Sequence, residues 1–539
     1  MWQILNYPFQ VDESEGMIVA EVGMMSKGID IFAQPQTNVF ISAPYTPLYY
    51  WLNWPFLTFL QGSFKPGRVI SFITTIGVAF LIYKLTGWYS SRRNGGKPDR
   101  LAGIIGAACW GSLGLVAFWG GAVKPDMTAL LFSMLGIWCA SKIDLNGKKV
   151  WSGLRTHLWN ERWLYTAALM VALAAMTKQT AFSAPAAIFF YILLKRPLAA
   201  LRFLASYFIL SFGPMLLLNI FSKGGFWWHI VTVHELPWSW YNYWKFTSAF
   251  IQNYLLYFVV ALIFIFFYLR DMLPKLFQRR NPFPTLGDEP ATLILGYTAA
   301  ALIMTVSVGT YGGNHNHLLE FAACMCLCLG LTISRLREWW RKPKANGFKL
   351  AYPVVLLALV VQVLTMFVAE GRIKPEDFPL LGGFAPSRAA LQGLSTQFYD
   401  PDWLGLQYRA PLPEQTKGYS GVAAYISNDD GELVYSDNVS LVLPSGKKIF
   451  TTDTFTQTHA TFFGRWNESK LVQMVKEHKF SVILLRESIE KRLEDGRPIQ
   501  DIYVSPAMAQ AILDNYDLTC PDVANVYEPK DKPQAKRCD

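Results

Sequence analysis

The sequence predicts a polytopic α-helical membrane protein with a small carboxy-terminal α/β domain. Of its 539 residues, 52% are hydrophobic and only 16% are charged, whereas soluble globular proteins carry about 25% charged residues. Apolar segments recur up to residue 369, and the composition beyond residue 370 is that of soluble protein. The net charge of +10 comes from short Lys/Arg clusters between the apolar segments. That distribution indicates membrane topology and gives no reason to expect nucleic-acid binding.

Ten apolar segments predict about ten membrane spans. A full span needs about 20 apolar residues, so the third, fourth and fifth segments are short for a crossing. The segments are 68–88, 101–122, 126–141, 163–177, 180–194, 203–221, 250–269, 291–308, 317–334 and 351–369.

The basic clusters fall in alternate loops, so all of them lie on one side of the membrane if every segment spans. Basic residues accumulate in cytoplasmic loops. We therefore expect a multi-pass protein of the inner (cytoplasmic) membrane, with the chain's opening stretch, the 222–249 loop, the 309–316 turn and the carboxy-terminal domain all extracytoplasmic.

These features divide the chain into four regions. Residues 1–67 are predicted to be an extracytoplasmic loop with an acidic pair and interfacial helices, and residues 68–369 the transmembrane helical domain. Residues 370–417 read as a linker, and residues 418–539 as the extracytoplasmic α/β domain.

In that last domain, helix and strand signals alternate. Residues 420–427 and 466–478 are helix-like, and residues 433–436 and 480–485 are strand-like, which predicts a small α/β layer with a partly parallel sheet. It carries no phosphate-binding loop or nucleophile elbow, so we interpret it as a docking or lid domain. A Cys520–Cys538 disulfide is compatible with an oxidising compartment, but free thiols remain the alternative.

An acidic pair, Asp12-Glu13, stands close to the predicted membrane boundary. Ionised groups at a membrane are costly and usually functional. Because neighbouring side chains point in different directions, at most one of the two is expected to face a reacting group. Two interpretations remain open: a solvated turn whose Asp12 or Ser14 caps a helix beginning near Glu15, or a general base.

Further charged and imidazole groups recur in the predicted extracytoplasmic segments. Lys124 and Asp126 share a short turn, and Lys178 separates two apolar halves, where it requires an anionic partner or extends to water. Carboxylates and cations gathered there suit a phosphorylated lipid donor, since cations hold phosphate. We expect Lys178 and Lys124 to bind the phosphate, and the remaining groups to bind substrate: Asp126, His234, Glu235, His315, His317 and Glu320.

The order of these motifs resembles the GT-C membrane glycosyltransferases, especially the bacterial relatives of protein O-mannosyltransferases and aminoarabinose transferases. The likeness covers residues 10–369 and, more loosely, the carboxy-terminal domain. It is carried by the acidic pair, the aromatic run at 44–50, the Lys-Pro-Asp turn, the Lys-Gln-Thr break, the Gly-Gly-Phe-Trp-Trp-His loop and the Asn-His-Asn-His-Leu-Leu-Glu re-entry.

The resemblance implies a hexosyl- or pentosyltransferase that takes its sugar from a polyprenyl-phosphate donor. The transfer would invert the anomeric centre, with Asp12 as general base and Glu13 as its substitute. The acceptor would be a protein, lipid or glycan. The Asp-Glu pair differs from the Asp-x-Asp of metal-dependent oligosaccharyl transferases, so a divalent metal is compatible but not implied.

Two alternatives accompany this interpretation. In the family, the acidic loop follows a first transmembrane helix, and Met1–Leu5 is too short to span. We expect either that such a helix precedes the present sequence or that the amino terminus is exported by the following helix. The alternative function is a non-catalytic structural subunit of a membrane complex, derived from the same family.

Overall fold

The computed structural model describes residues 2–60, 62–93, 95–145, 161–277, 283–341, 349–369, 413–520 and 525–531. Helices make up most of the described chain, and one five-stranded sheet lies near its carboxyl end. The helices up to residue 369 are α1 Trp2–Asn6, α2 Glu13–Ser26, α3 Pro47–Phe59, α4 Lys65–Arg93, α5 Arg100–Ser112, α6 Gly114–Trp119, α7 Asp126–Ala140, α8 Arg162–Thr177, α9 Ser183–Leu193, α10 Pro197–Phe221, α11 Gly225–Ile230, α12 Trp240–Asn253, α13 Leu255–Phe277, α14 Phe283–Asp288, α15 Ala291–Met304, α16 Leu319–Trp340 and α17 Ala351–Ala369.

Within the described ranges, five helical stretches are long and apolar enough to cross a membrane. They are α4, α10, α13, the stretch Ala291–Gly309 that includes α15, and the stretch His315–Trp340 that includes α16. The helices α7, α8, α9 and part of α17 are apolar but shorter. A polytopic helical fold is therefore observed, while the number of ten spans stays a prediction.

The predicted span 101–122 is two helices, α5 and α6, that meet at Leu113. Leu113 has an extended backbone, and two polar groups at this break, one N–H and one hydroxyl, have tyrosine partners on α13 and immediately before it. The Leu115 N–H donates to the Tyr254 hydroxyl at 3.3 Å, and the hydroxyls of Ser112 and Tyr257 lie 2.9 Å apart. The Tyr254 hydroxyl thus satisfies a backbone N–H that hydrocarbon could not satisfy.

The helix α16 lies at the centre of the membrane domain, and small residues in the helix permit close packing there. It is buried along nearly its whole length. Small residues let neighbouring backbones approach closely: a Cβ at Gly106 of α5 would lie 3.0 Å from the Cys326 carbonyl oxygen, and one at Gly330 would lie 3.2 Å from the Ala102 carbonyl oxygen. The cysteines at 324, 326 and 328 are buried free thiols in this packing.

The carboxy-terminal part is a small α/β layer, as predicted. Its sheet has the strand order β2-β1-β3-β5-β4, with β2, β1 and β3 parallel and with β5 antiparallel to both β3 and β4. The strands are β1 Leu433–Ser436, β2 Lys448–Ile449, β3 Val482–Leu485, β4 Tyr516–Cys520 and β5 Asn525–Pro529, and the helices are α18 Pro413–Asn428, α19 Val439–Val442, α20 Thr454–Phe462, α21 Ser469–Lys476, α22 Ile489–Glu494 and α23 Pro506–Asn515.

This domain is joined to the loop before α3 by backbone pairing and by a shared core. The Phe40 N–H donates to the Phe450 carbonyl at 2.8 Å, and the Thr452 N–H donates to the Phe40 carbonyl at 3.0 Å. The Phe40 ring packs edge-to-face on Trp466 and belongs to the domain's own hydrophobic core. Phe40 thus docks the domain in two ways: its backbone pairs with the domain as a strand residue, and its aromatic side chain is buried in the domain's core.

A second contact explains the glycine pair of the 309–316 turn. Gly312 has a φ of 78°, which favours glycine, and a Cβ there would lie 2.6 Å from the Phe455 ring of α20. Tyr311 stacks on the same ring. Most of the predicted linker and Cys538 fall outside the described residues, so the linker and the disulfide stay predictions.

Candidate active site

Helix ends from α7, α8, α9, α15 and α16 converge at one face of the membrane domain. Asp126 is the first residue of α7, and Lys178 follows the last residue of α8. The predicted Lys-Gln-Thr break is observed as the irregular stretch between α8 and α9. Charged groups placed at helix ends keep the spans themselves apolar, which a membrane requires.

Asp12 lies beside this face and forms two kinds of contact. It is the N-cap of α2, because its Oδ1 accepts from the Ser14 N–H at 3.1 Å and also from the Ser14 hydroxyl. The same Oδ1 lies 3.0 Å from the Lys124 Nζ. The helix-cap interpretation of this residue is therefore correct, and the cap carries an ion pair as well.

Lys124 is held in place by two further groups. Its ammonium donates to the Tyr45 hydroxyl at 3.4 Å and lies 5.2 Å from the centre of the Trp119 ring. Burial alone would lower the pKa of Lys124, but the carboxylates of Asp12 and Asp126 and the Tyr45 hydroxyl nearby raise that pKa above its ordinary value. The lysine is therefore a permanent cation near neutral pH.

A cavity of about 50 Å³ opens among the converging helix ends. On one side, Asp126 Oδ1 accepts from the Lys178 Nζ at 2.5 Å and from the Asn316 side-chain amide at 3.0 Å. All three of these residues line the cavity. The sequence predicted Asp126 and Lys178 as site residues separately, and the structure pairs them.

Glu320 and His317, two more of the predicted residues, line the same cavity. The Glu320 carboxylate accepts from the Tyr297 hydroxyl at 2.8 Å and from the Ser183 hydroxyl at 2.7 Å. His317 Nδ1 lies 2.7 Å from the Ser307 hydroxyl. Asp126, Lys178, His317 and Glu320 thus share one site, with the Asp12–Lys124 pair next to it.

The other predicted residues lie elsewhere. Glu235 pairs with Arg465 of the carboxy-terminal domain at 3.1 Å. The nearby His234 is half-buried, and its desolvation lowers its pKa to about 4. Glu13 pairs with Arg486 of the same domain at 2.5 Å. His315 packs edge-to-face on the Phe246 ring. These four residues do not line the cavity, so a substrate-binding or catalytic role for them stays a prediction.

Sequence reasoning missed a buried ion pair that supports the site. Arg68 and Glu15 are fully buried and form a two-point contact, with Nη2–Oε2 at 2.8 Å and Nε–Oε1 at 3.0 Å. The Val123 N–H donates to the same Glu15 carboxylate at 2.7 Å. The pair therefore ties the start of α2, which carries Asp12, to the turn that carries Lys124.

A second buried carboxylate, Glu21, was also missed. It accepts from the Ala43 N–H at 2.8 Å, from the Tyr50 hydroxyl at 2.9 Å and from the Thr452 hydroxyl at 2.8 Å. Burial raises its pKa to about 7, and those hydrogen bonds oppose the rise. Glu21 thus joins α2, the loop before α3 and the carboxy-terminal domain.

The site does not have the donor set of a metal centre. Over the described ranges, no group of three His, Cys, Asp or Glu side chains is arranged to hold a metal ion. The Asp126 carboxylate also has an ammonium group at 2.5 Å, which opposes a second cation on the same oxygen. The residues present therefore do not fit a resident divalent metal.

No protein-family model and no curated protein matches the chain. Among solved structures, the chain is similar to ArnT from Cupriavidus metallidurans bound to undecaprenyl phosphate, with a TM-score of 0.54 and 13% identity over 99% of this chain and 97% of that chain. The apo state of ArnT gives 0.51 and 14% identity over 92% and 91%. Archaeal oligosaccharyltransferase AglB from Archaeoglobus fulgidus, in complex with an inhibitory peptide and a dolichol-phosphate, gives 0.49 and 12% over 98% and 71%.

The likeness to ArnT extends over nearly the whole of both chains, so it includes the membrane helices and the carboxy-terminal domain together. The chain shares the overall fold of ArnT, and the predicted resemblance is confirmed at the level of the fold. At 13% identity this likeness defines the fold. The particular reaction has to be argued from the site.

Proposed function

We propose that this protein is a membrane glycosyltransferase that moves a hexosyl or pentosyl group from a polyprenyl-phosphate donor to an extracytoplasmic protein, lipid or glycan. One observation carries the proposal: Lys178 lines a cavity among helix ends, the buried Lys124 lies next to it, and each lysine is beside a carboxylate. The fold supports it, since ArnT shares the fold and its structure holds undecaprenyl phosphate.

Lys178 and Lys124 are assigned to the donor phosphate. Each lysine has a carboxylate at 3.0 Å or less, so the two pairs together are electrically neutral. A phosphate must therefore compete with Asp126 and Asp12 for the ammonium protons. Phosphate offers more acceptor oxygens than a carboxylate does, and charge-assisted hydrogen bonds to it are strong. Donor binding would draw Lys124 away from Asp12.

Asp12 is assigned as the general base. Its Oδ1 carries the cap and the contact with Lys124, so we assign proton acceptance to Oδ2. The acceptor hydroxyl gives its proton to this oxygen while its own oxygen forms a bond to the anomeric carbon. The bond from that carbon to the phosphate oxygen breaks, and its electron pair leaves with the lipid phosphate. The lysines stabilise the charge that develops there.

The proposed location is the inner membrane, with the site and the carboxy-terminal domain on the extracytoplasmic side. The basic clusters of the alternate loops support this orientation. The docking of the domain through Phe40 and Phe455 supports it as well, because both contacts involve loops on the same face as the cavity.

The phosphate assignment is tested by the affinity of the purified protein for undecaprenyl phosphate. Lys178→Ala should weaken binding by roughly ten- to a hundredfold, because it removes a hydrogen bond to a charged group worth about 1.5–3 kcal/mol. The double variant Lys178→Ala/Asp126→Asn removes the lysine without leaving a buried lone carboxylate, and it should bind as weakly. Lys245→Ala is the control, since that lysine lies outside the cavity lining. Unchanged affinity in both cavity variants would contradict the assignment.

A further inference from the structure

Two lysines flank one tryptophan near the carboxyl ends of α4 and α7, away from the cavity. The Lys142 ammonium lies 4.1 Å from the centre of the Trp138 ring, and the Lys84 ammonium lies 5.5 Å from it. Two groups at those distances from one ring are separated by no more than about 10 Å, the Debye length at 0.1 M salt. Partial burial, and then the charges of Lys84 and Arg92, lower the pKa of Lys142. The three cations therefore repel one another.

No carboxylate compensates this cluster. Over the ranges that the structure describes, none of Lys84, Arg92 and Lys142 forms an ion pair with an acidic side chain. Arg93, the next residue of α4, has three carboxylates within 4.0 Å. The segment 146–160, which follows Lys142 closely, contains no Asp or Glu that could supply one. The cluster thus has positive charge that an anion from outside the chain would neutralise.

An exposed apolar stripe on α4 leads to the cluster. Ile73, Ile76 and Phe80 follow one another at helical spacing and are more than half exposed. They belong to a helix that is long and apolar enough to cross a membrane, so they face hydrocarbon. Lys84 is one turn further along the same face, and its ammonium lies 5.8 Å from the centre of the Phe80 ring. An acyl chain packed on the stripe would therefore end beside Lys84.

Helix α7 supplies the other side of the same seam. The two helices pack closely at Gly77 of α4, where a Cβ would lie 2.7 Å from the Leu131 side chain. Leu135 and Trp138 follow Leu131 at helical spacing, and all three are half-buried. Tryptophan is enriched at the membrane–water interface, at the level of the lipid headgroups. The seam is thus apolar where Gly77 meets Leu131 and cationic where it ends.

We infer that the carboxyl ends of α4 and α7 bind the headgroup of an anionic phospholipid, with its phosphate between Lys84 and Lys142. The apolar stripe favours a lipid over a soluble phosphate, because it provides a surface for the acyl chains. In the proposed orientation these helix ends lie in the cytoplasmic leaflet, where basic pockets between membrane helices bind acidic headgroups. Lys142 is about 24 Å along α7 from Asp126, so the inference does not depend on the proposed reaction.

The net charge of the headgroup should set the preference of this site. Phosphatidylglycerol carries one negative charge, whereas phosphatidylcholine adds a quaternary ammonium that the lysines repel. A basic residue beside an anionic lipid surface contributes a factor of about five in affinity. The two lysines together therefore predict a preference of about twentyfold for phosphatidylglycerol.

The test counts lipids bound to the purified full-length protein by native mass spectrometry, in titrations with dioleoylphosphatidylglycerol and with dioleoylphosphatidylcholine. The wild type should bind its first phosphatidylglycerol about twentyfold more tightly than phosphatidylcholine. Lys84→Gln and Lys142→Gln should each reduce this preference about fivefold, and the double variant should abolish it. Lys84→Arg/Lys142→Arg retains both charges and should retain the preference.

Lys275→Gln is the matched control. Lys275 is an exposed lysine near the end of α13 and is not one of the cations beside the Trp138 ring, so its loss should leave the preference unchanged. Thermal unfolding in detergent gives a second readout. Phosphatidylglycerol should raise the Tm of the wild type and leave that of Lys84→Gln/Lys142→Gln unchanged.

Three results would overturn the inference. They are equal affinity of the wild type for the two lipids, a preference that survives in Lys84→Gln/Lys142→Gln, and a preference that falls equally in Lys275→Gln. The last result would mean that the total charge of this face, and not the cluster, attracts the lipid. If the double variant fails to fold, the two single variants decide the question.

Discussion

Replacing Arg68 by methionine should destabilise the protein by about 3–5 kcal/mol, the usual cost of breaking a buried ion pair. The guanidinium is fully buried and donates to Glu15 and to the backbone carbonyls of Ile4, Tyr7 and Phe9 at 2.5–2.6 Å. Methionine fills much of the volume but makes none of these bonds. Glu15 then remains as a buried charge without its partner.

The magnitude corresponds to a change of roughly a hundred- to several thousandfold in the unfolding equilibrium. The damage should also reach the site. Glu15 accepts from the Val123 N–H at 2.7 Å, next to Lys124, so loss of the pair loosens the contact between Asp12 and Lys124. We expect glycosyl transfer to fall even at temperatures where the protein stays folded.

The assay is reversible unfolding of the purified protein in detergent micelles, followed by intrinsic tryptophan fluorescence. Arg270→Met is the matched control, because Arg270 is half exposed and its pair with Asp271 should contribute less than about 1 kcal/mol. The double variant Glu15→Gln/Arg68→Met should be less destabilised than Arg68→Met alone, since no lone buried charge remains. Arg68→Met within 1 kcal/mol of wild type would refute this reasoning.

Two other predictions follow from the buried groups and from the charge distribution. Glu21 has an ordinary pKa of 4.5 that burial raises to about 7; the folded state therefore keeps a proton that the unfolded state releases between those values, and stability should fall as pH rises through 7. Glu21→Gln should remove up to about 3 kcal/mol of this pH dependence of stability. The measurement is the free energy of unfolding at pH 4.5 and 7.5 for the wild type and the variant. Identical pH profiles for the two proteins would contradict the prediction. A reporter that is active only in the cytoplasm, fused after Asp539, should be inactive, whereas activity would place the carboxy-terminal domain inside.

The parts of the fold that depend on local pattern could be predicted from the sequence. Apolar runs locate the long helices, the polar Lys178 locates the break after α8, and residues 433–436 form β1 as expected. Each of these depends on neighbouring residues in the chain, which a single sequence displays directly.

The parts that depend on distant contacts could not be predicted. Arg68 looks like a basic residue at the boundary of a span, and nothing local indicates its pairing with Glu15. Phe40 pairs as a strand residue with residues 450 and 452. No periodic sequence pattern before Phe40 predicts this pairing. For the candidate site, the sequence identified Asp126 and Lys178 as chemical groups, but Asn316 became visible only through its bond to Asp126.

The central claim is most directly tested by the rate of label transfer from a radiolabelled glycosyl undecaprenyl phosphate to membranes that supply lipid, protein and glycan acceptors. Asp12→Asn keeps the shape of the side chain and removes the base. Because positioned proton transfer contributes about 10²–10⁴-fold, turnover should fall by that factor while donor binding is retained. Glu13→Gln, the neighbouring control, should stay near wild type. If turnover is lost in Glu13→Gln and kept in Asp12→Asn, the role of general base moves to Glu13. Full activity in both variants, or no transfer by the wild type, would contradict the proposed mechanism.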